Sequence, residues 1–312
     1  MAQENEYVAH AFSDNRMPEA ISAMLPGMAA KPKIAIVGAG NLGSALALSL
    51  RRNGYVIESV IARPSRASLP KARSLAKQVG ATACTDPSSL RASLIWFCVP
   101  DSEIARAARD LSTKMNWKGR VALHSSGVLS SDELAPLRSR GAAIASAHPL
   151  MTFVRGSRPP LTGVPFAIEG DPSAVRMARH IIKDMGANPH PIQKKDKAAY
   201  HAWGTFVSPL FTALLVTAEQ VASLAGVNRI AAKRRMIPIL LQTLANYAAF
   251  DAADAFSGPI IRGDGDTVKR HLHVLRTLPA ARDAYSALAR SALLYLPAKN
   301  KVALKRILDS KK

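Results

Sequence analysis

The chain alternates between two spacings of apolar residues from residue 33 to about residue 193. Short apolar runs typical of buried strands are separated by segments in which apolar residues recur at helical spacing. The predicted strands are residues 33–37, 56–62, 81–83, 93–99, 120–124, 143–147 and 166–168. The predicted helices are residues 42–53, 67–79, 102–115, 131–140 and 173–185. Because strands and helices alternate, we expect a largely parallel sheet covered by helices.

The strand pattern ends near residue 193, and the rest of the chain predicts helices only. Glycine and proline interrupt the helical pattern at Gly226, Gly258-Pro259, Pro279 and Pro297. The sequence therefore predicts a flexible N-terminal arm over residues 1–31, an α/β domain over 32–193 and an all-helical domain over 194–312. We expect the apolar, alanine-rich stretch 195–225 to form the spine of the helical domain and of a dimer interface.

The first predicted strand leads into a glycine-rich turn at the start of a helix. The turn has the sequence Gly38-Ala39-Gly40-Asn41-Leu42-Gly43. In such a turn the first glycine permits a tight bend, the second lets phosphates approach the main chain, and the third lets the helix pack closely. The helix N-terminus then faces the anion. We expect these residues to bind a dinucleotide pyrophosphate in a Rossmann-like, doubly wound sheet; an empty structural turn is the alternative.

The end of the second predicted strand indicates which nicotinamide cofactor fits. An acidic residue about 20 positions past the glycine turn binds the ribose hydroxyls of NAD, and none stands at this strand end. Arg63, Ser65 and Arg66 are there instead, and guanidinium and hydroxyl groups suit the 2′-phosphate of NADP. We expect NADP (NADPH) rather than NAD, with two solvated loop arginines as the alternative.

Three further strands end in residues that carry chemistry. Val99 and Pro100 lie at the carboxyl end of the fourth strand, where an open α/β sheet lines its ligand crevice, so we expect them along the cofactor. The fifth strand ends in His124-Ser125-Ser126-Gly127 and the sixth in Ala147-His148-Pro149-Leu150. Such imidazoles and hydroxyls bind a carboxylate or exchange a proton with a carbonyl or imine. The alternative is that each histidine bonds to the backbone of its own turn.

The predicted helical domain begins with a lysine and a histidine one turn apart. Lys197 and His201 share a helix face, and they form a workable proton donor if this helix packs across the open edge of the sheet. Further along, Arg262 lies in a glycine-rich loop and is a candidate to clamp a carboxylate or phosphate. The alternatives are the charged first turn of an ordinary helix and, for the neighbouring Asp264, a helix cap.

Composition narrows the class of protein. With 312 residues, of which 48% are hydrophobic, the chain can bury a core in each of two domains. Its formal net charge of +20 makes nucleic acid a partner to consider. The basic residues are spread along the chain without aromatic interleaving or a recognisable nucleic-acid motif. Nucleic acid is therefore the weaker alternative, and part of the charge is expected to attract an anionic cofactor or substrate.

The sequence lacks the patterns typical of a membrane-spanning segment and of a metal site. The longest apolar stretches, such as 94–100 and 206–216, are too short or too interrupted to cross a bilayer, and the first residues do not show a basic segment followed by an apolar core. We therefore expect a cytoplasmic protein without a membrane partner. Cys84 and Cys98 are interpreted as buried apolar residues. The eight histidines show no zinc-ligand spacing, so no metal site is predicted.

Taken in order, these motifs resemble a family in which a Rossmann-like domain precedes a helical domain of unknown function. The resemblance covers roughly residues 31–310 and rests on Gly38 to Gly43, Val99-Pro100-Asp101, His124 to Gly127, His148-Pro149-Leu150 with Phe153, residues 166–170, Tyr200-His201, and residues 258–264 with Thr267 and His271. Broader relatives are pyrroline-5-carboxylate reductase, the 6-phosphogluconate and β-hydroxyacid dehydrogenases, and deazaflavin-dependent NADP reductases. The resemblance implies NADP binding and a homodimer formed through the helical domain.

The resemblance supplies no substrate. Lys197 and His201 are similar to the lysine and asparagine that β-hydroxyacid dehydrogenases carry one turn apart, with histidine in place of asparagine. His148-Pro149 is similar to a motif of prephenate dehydrogenases. We expect an NADP-dependent oxidoreductase that transfers a hydride between nicotinamide and a small carbonyl, imine or hydroxy-acid substrate. The residues expected at the substrate are Ser125, His148, Lys197, His201 and Arg262. The alternative is a dinucleotide-sensing regulatory protein without turnover.

Overall fold

The computed structural model describes residues 31–310 of the chain. Nearly all of the predicted N-terminal arm lies outside the described residues, as do residues 311 and 312. The described part begins just before the first predicted strand, so every candidate site residue has a place in it.

Eight strands form one sheet in the described part of the chain. They are β1 (Ile34–Val37), β2 (Ile57–Ile61), β3 (Thr82–Cys84), β4 (Leu94–Phe97), β5 (Val121–His124), β6 (Ala143–Pro149), β7 (Pro165–Gly170) and β8 (Asn188–Pro191). Their order in the sheet is β3-β2-β1-β4-β5-β6-β7-β8. Neighbouring strands are parallel except β6 and β7, which pair antiparallel. The carboxyl ends of β1, β2, β4, β5 and β6 therefore meet at one edge, as in a doubly wound sheet.

Helices cover both faces of this sheet. They are α1 (Asn41–Arg52), α2 (Ser68–Val79), α3 (Asp101–Ser112), α4 (Ala135–Arg138) and α5 (Pro172–Asp184). Successive residues of a strand point to opposite faces, so Trp96 and Phe97 of β4 enter two separate cores. Trp96 shares its core with α1, α2 and α5, and Phe97 shares the other with α3 and α4. Burial on both faces explains why the central strands are almost continuously apolar.

The described chain beyond the sheet contains helices and no further strand. The helices are α6 (Lys197–Thr205), α7 (Phe211–Ser223), α8 (Arg229–Ala249), α9 (Ala252–Ala255), α10 (Pro259–Arg262), α11 (Gly265–Val274), α12 (Pro279–Tyr295) and α13 (Lys301–Asp309). A π-helical segment, Phe206–Leu210, joins α6 to α7 without a break. A small core holds α11, α12 and α13 together. The predicted fold class, a Rossmann-like doubly wound sheet with a C-terminal helical domain, is thereby confirmed.

Helices α6 to α8 leave much of their apolar surface uncovered. The continuous helical run Lys194–Ser223 is, by length and composition, the one helix of the described residues that can cross a membrane, and 6% of its most apolar window is buried. The expectation that no stretch can cross a bilayer rests on residues 206–216 alone, whereas the helical run extends well beyond them. Trp203, Phe206 and Tyr247 are among the large exposed side chains of these helices. An apolar surface of this extent is typical of contact with another protein or with lipid.

The predicted elements need correction at two places. The sequence pattern misses β8 because Pro189 and Pro191 interrupt it; β8 lies at the edge of the sheet, where prolines are tolerated. The pattern also predicts one helix over residues 131–140. The chain instead forms a 3-10 turn, Ser131–Leu134, followed by the four-residue α4.

Candidate functional site

The glycine turn between β1 and α1 is shaped by close backbone contacts. Gly38 has a φ of +101°, and a Cβ built on it would lie 2.7 Å from the carbonyl oxygen of Cys98, so only glycine fits. A Cβ on Gly43 would overlap the carbonyl oxygen of Gly38, because α1 packs directly on the turn. A Cβ on Gly40 would meet nothing within 4 Å. The space in front of Gly40 is therefore open to a ligand.

The N-terminus of α1 opens onto this space. Gly40 stands at the N-cap without a capping side chain, and the first turn holds no acidic residue. The first-turn N–H groups of Asn41, Leu42 and Gly43 have no intrahelical acceptor, and the helix dipole adds positive potential there. The side chain of Asn41 is bound elsewhere, since its Nδ2 donates to the carbonyl oxygen of Phe153 at 3.1 Å. The turn fits a pyrophosphate held by main-chain groups.

A cavity of about 390 Å³ lies beside the glycine turn, between the ends of β1, β2 and β4. Val99 and Pro100 line it, at the position expected for residues along a cofactor. Arg63 and Lys71 also line it. Lys71 is not among the predicted cofactor residues; its signal in the sequence is a lysine early in the helix that follows Arg63. The cavity thus joins the open glycine turn to cationic side chains.

Two of the residues predicted to bind a 2′-phosphate do not line this cavity. Ser65 Oγ accepts a hydrogen bond from the backbone N–H of Ser68 at 3.1 Å, so Ser65 supports the start of α2. Arg66 is exposed to solvent. Of the three predicted residues, Arg63 is the one in the cavity wall.

The loop after β5 is held by a buried histidine. His124 Nε2 lies 2.9 Å from the carbonyl oxygen of Ser130, and its Nδ1 accepts from the N–H of Ser126 at 3.1 Å. Because a carbonyl oxygen only accepts, Nε2 carries the proton. Burial lowers the pKa of His124 to about 4, so the ring is neutral. Asp101, the first residue of α3, lies against the same loop, and its Oδ2 accepts from Ser126 Oγ at 2.8 Å.

His148, near the end of β6, lies beside this loop. Its Nδ1 is 3.0 Å from the carbonyl oxygen of Ser125, so the neutral ring carries its proton on Nδ1 and has a lone pair on Nε2. Burial lowers the pKa of His148, and the positive charge of Lys197 lowers it further. The hydroxyl of Ser125 points into the sheet, where it accepts from Trp96 Nε1 at 2.8 Å. Ser125 therefore holds His148 through its backbone.

Lys197 begins α6 and is 1% exposed. Its Nζ donates to the carbonyl oxygen of Ser126 at 3.0 Å and to Ser146 Oγ at 2.7 Å. Burial lowers the pKa of Lys197, while the negative charges of Glu169 and Asp101 act in the opposite direction. An enclosed ammonium with these partners fixes the loop after β5 against β6.

His201 is exposed, and its ring lies next to that of His148, with the two ring centroids 5.9 Å apart. Gly127 leaves room for this approach: a Cβ there would lie 2.9 Å from His148 Nε2 and would overlap the ring of His201. The structure thus brings together three of the predicted residues and one loop. We call His148, Lys197, His201 and loop 124–127 the strand-end cluster.

Tyr200, which is not among the predicted site residues, lies beside the strand-end cluster. Its ring centroid lies 6.3 Å from that of His148. Its hydroxyl is buried and has no hydrogen-bond partner among residues 31–310, and burial raises its pKa. The signal available in the sequence was its position next to His201.

Arg262 lies in the short helix α10, which contacts α11 and α12. It is exposed, and no hydrogen bond or ion pair within residues 31–310 joins its side chain to the cluster. The neighbouring Asp264 caps α11, because its Oδ1 accepts from the N–H of Thr267 at 3.0 Å. The same described residues contain no group of three or more His, Cys, Asp or Glu side chains arranged to hold a metal ion.

Comparison with protein families identifies two domains in the chain. A family model for a Rossmann-like domain matches residues 17–149, and one for a domain of unknown function, DUF2520, matches residues 164–292. The DUF2520 match begins directly before β7 and continues through most of α12. The chain therefore consists of a Rossmann-like domain followed by a DUF2520 domain, which confirms the family predicted from the order of motifs. A comparison with curated protein sequences finds no match.

Solved structures with the same fold include several reductases. A protein from Bacteroides fragilis described as a candidate NADP oxidoreductase is 22% identical over 84% of this chain and 97% of its own, with a TM-score of 0.70. An imine reductase from Pseudomonas sp. is 22% identical over 85% and 94%, with a TM-score of 0.58. A pyrroline-5-carboxylate reductase from Coxiella burnetii is 14% identical over 89% and 97%, with a TM-score of 0.55. These likenesses show a shared fold.

Proposed function

We propose that this protein is an NADP-dependent oxidoreductase that transfers a hydride between nicotinamide and a small carbonyl, imine or hydroxy-acid compound. The observation that carries the proposal is that β5 and β6 place the strand-end cluster at the sheet edge that also bears the open glycine turn. In an open α/β sheet this edge binds the dinucleotide. The names of the structurally similar proteins, among them an imine reductase and a pyrroline-5-carboxylate reductase, support the reductase class.

The residues around the glycine turn would hold the cofactor. Bound NADPH would supply the hydride, and the protein would supply orientation and electrostatics. The main chain from Gly38 to Gly43 would bind the pyrophosphate. Arg63 and Lys71 would face the 2′-phosphate, because both are cations in the wall of the adjoining cavity. This arrangement favours NADP over NAD.

His148 would accept a proton or a hydrogen bond from the reacting group of the substrate. With its proton on Nδ1 held by Ser125, the neutral ring accepts a hydrogen bond at Nε2. In the oxidation direction Nε2 takes the hydroxyl proton of an alcohol. In the reduction direction it orients the N–H bond of a protonated imine, which brings its own proton. Because its pKa is lowered, His148 is a poor donor at neutral pH, and a protonated imine suits it better than a neutral carbonyl.

Lys197 and His201 would have different tasks. The ammonium of Lys197 is enclosed and bonded to Ser126 and Ser146, so it acts on the substrate through the loop that it holds. Its charge also keeps His148 neutral. His201 is exposed beside His148 and would line the substrate side of the cleft.

An assay of substrate reduction tests the proposal. Purified protein is mixed with NADPH or NADH and a panel of small cyclic imines, keto acids and aldehydes, and hydroxy acids are tried with NADP⁺. We expect imine reduction that is faster with NADPH, and a loss of about 100-fold in kcat/KM in His148→Asn. His180→Gln, an exposed histidine on α5, is the matched control and keeps full activity. NADPH binding without any turnover would instead support the dinucleotide-sensing alternative.

We also propose that the helical region forms a homodimer. The exposed apolar side chains of α6 to α8 support a protein contact, and the first turn of α6 is bound to the sheet through Lys197. Light scattering after gel filtration in detergent-free buffer is expected to give twice the mass of the chain. Ile239→Glu, at an exposed apolar position of α8, is expected to weaken the dimer, and Gln78→Glu, at an exposed position of α2 on the sheet domain, is the control. A monomer, or protein that requires detergent, would contradict this proposal.

A further inference from the structure

The cavity beside the glycine turn contains a carboxylate between two arginines. Glu103, in the first turn of α3, accepts from Arg63 Nη1 at its Oε2, with the two atoms 3.2 Å apart. Arg106 Nη2 pairs with the same oxygen. All three side chains line the cavity of about 390 Å³. The Glu103 side chain is 26% exposed, whereas that of Arg63 is 62% exposed, so the carboxylate is the more enclosed partner.

The pairing of Glu103 with two arginines lowers the positive charge that the cavity presents to a ligand. One carboxylate oxygen shared by two guanidinium groups offsets part of their positive charge. It also engages Nη1 of Arg63, a residue at the end of β2 that stands where a 2′-phosphate would bind under the proposed function. A ligand that uses Nη1 of Arg63 therefore competes with Glu103.

We propose that Glu103 is a specificity-determining residue that competes with the 2′-phosphate of NADP for Arg63 and so limits the affinity for NADPH. The inference rests on the proposed function. A phosphate carries close to two negative charges and several acceptor oxygens, so it can draw Arg63 away from a single carboxylate. The 2′-hydroxyl of NAD cannot, and Arg63 then stays on Glu103. Glu103 thus lowers the affinity for NADPH more than that for NADH, and it speeds release of the phosphorylated cofactor.

A second role of Glu103 predicts effects of the opposite kind. The end of β2 lacks the acid that binds the ribose hydroxyls of NAD, and Glu103 could supply this carboxylate from the first turn of α3, across the same cavity. In that case removal of its charge weakens NADH binding. The two roles are therefore separated by which nucleotide responds, and in which direction.

Titration of both nucleotides against charge-neutral variants tests the proposal. The Kd values of NADPH and NADH are measured by nucleotide fluorescence at fixed ionic strength for the full chain and for Glu103→Gln. We expect Glu103→Gln to lower the Kd of NADPH by about threefold to fivefold, the upper part of the range of a partly exposed charge pair, and to change that of NADH by less than about twofold. The dissociation rate of NADP⁺ is expected to fall by a similar factor.

Two further variants show whether the effect depends on Arg63. Asp110→Asn removes a carboxylate that lines the same cavity and that no ion pair within residues 31–310 joins to either arginine; it is expected to leave both Kd values within about twofold. In an Arg63→Ala background, Glu103→Gln is expected to give no gain. Glu103→Ala serves as a second variant, and melting temperatures confirm that each variant is folded.

Several results would overturn the proposal. Weaker NADH binding in Glu103→Gln would assign Glu103 to the ribose. An equal gain in affinity for both nucleotides, or the same gain in Asp110→Asn, would show that the effect comes from net charge alone. An unchanged Kd of NADPH in Glu103→Gln, with tight binding by the parent chain, would remove this inference and leave the proposed function standing. A parent chain that binds neither nucleotide would remove both.

Discussion

The buried ring of His124 makes the stability of this protein depend on pH in a defined direction. In the folded chain Nε2 donates to Ser130 and Nδ1 accepts from the N–H of Ser126, so a second proton on Nδ1 would face another donor. Burial lowers the pKa of His124 from its ordinary 6.5 to about 4. Between these values the unfolded chain binds more protons than the folded chain, so stability falls as the pH falls.

The size of the effect follows from the two pKa values. A histidine with these values contributes almost no pH dependence above pH 7.5, costs about 1.4 kcal/mol of unfolding free energy at pH 5.5, and costs about 3 kcal/mol at pH 4. His148, whose pKa is also lowered by burial, adds to the loss in the same direction. Urea unfolding followed by tryptophan fluorescence at pH 7.5, 6.5 and 5.5 measures the total.

Variants isolate the part that belongs to His124. His124→Gln cannot titrate, so it is expected to be less stable at pH 7.5 but to lose about 1.4 kcal/mol less than the parent chain between pH 7.5 and 5.5. His180→Gln, whose side chain is 68% exposed on α5 and lies 3.8 Å from Asp184, is the control for removal of a histidine outside the buried loop. If His124→Gln keeps the same slope as the parent chain, the assignment of a neutral, buried His124 is wrong.

Two other substitutions test the strand-end cluster. Lys197→Met removes two hydrogen bonds from an enclosed ammonium; we expect urea unfolding to show a loss of about 2 kcal/mol and NMR titration to show a higher pKa of His148. The exposed Lys195→Met is the control, and parent-like stability of Lys197→Met would refute the role. Gly127→Ala displaces the rings of His148 and His201 and is expected to lower kcat/KM by about 10- to 100-fold with the fold retained, so an unchanged rate in steady-state assays would contradict the cluster geometry.

Much of the fold could be predicted from the sequence because the spacing of apolar residues shows which faces of each strand and helix are buried. The apolar strands β1, β4 and β5 are covered on both faces, and the glycine turn has a fixed place between β1 and α1. Strand ends carrying His124 and His148 meet at one edge by topology alone. The predicted parallel sheet therefore places most of the strand-end cluster at one edge before any side-chain contact is known.

The sequence does not show in which direction the polar side chains of the candidate site point. The hydroxyl of Ser125 turns toward Trp96, and the ammonium of Lys197 turns into the sheet, because partners distant in the chain compete for these groups. Ser65 supports a helix start while Lys71 lines the cavity. Local spacing fixes where such residues lie, but tertiary packing decides what their polar atoms contact.

The account depends most on the claim that the turn at Gly40 binds the dinucleotide, and Gly40→Ala tests it most directly. Gly40 has φ −75° and open space where a Cβ would stand, so the folded chain accommodates alanine, and its melting temperature is expected to stay equal or rise slightly. The added methyl group fills the space through which a phosphate approaches the main chain. A fluorescence titration is predicted to show at least about a tenfold higher Kd for NADPH in Gly40→Ala than in the parent chain. Equal affinity in a folded variant would contradict the claim.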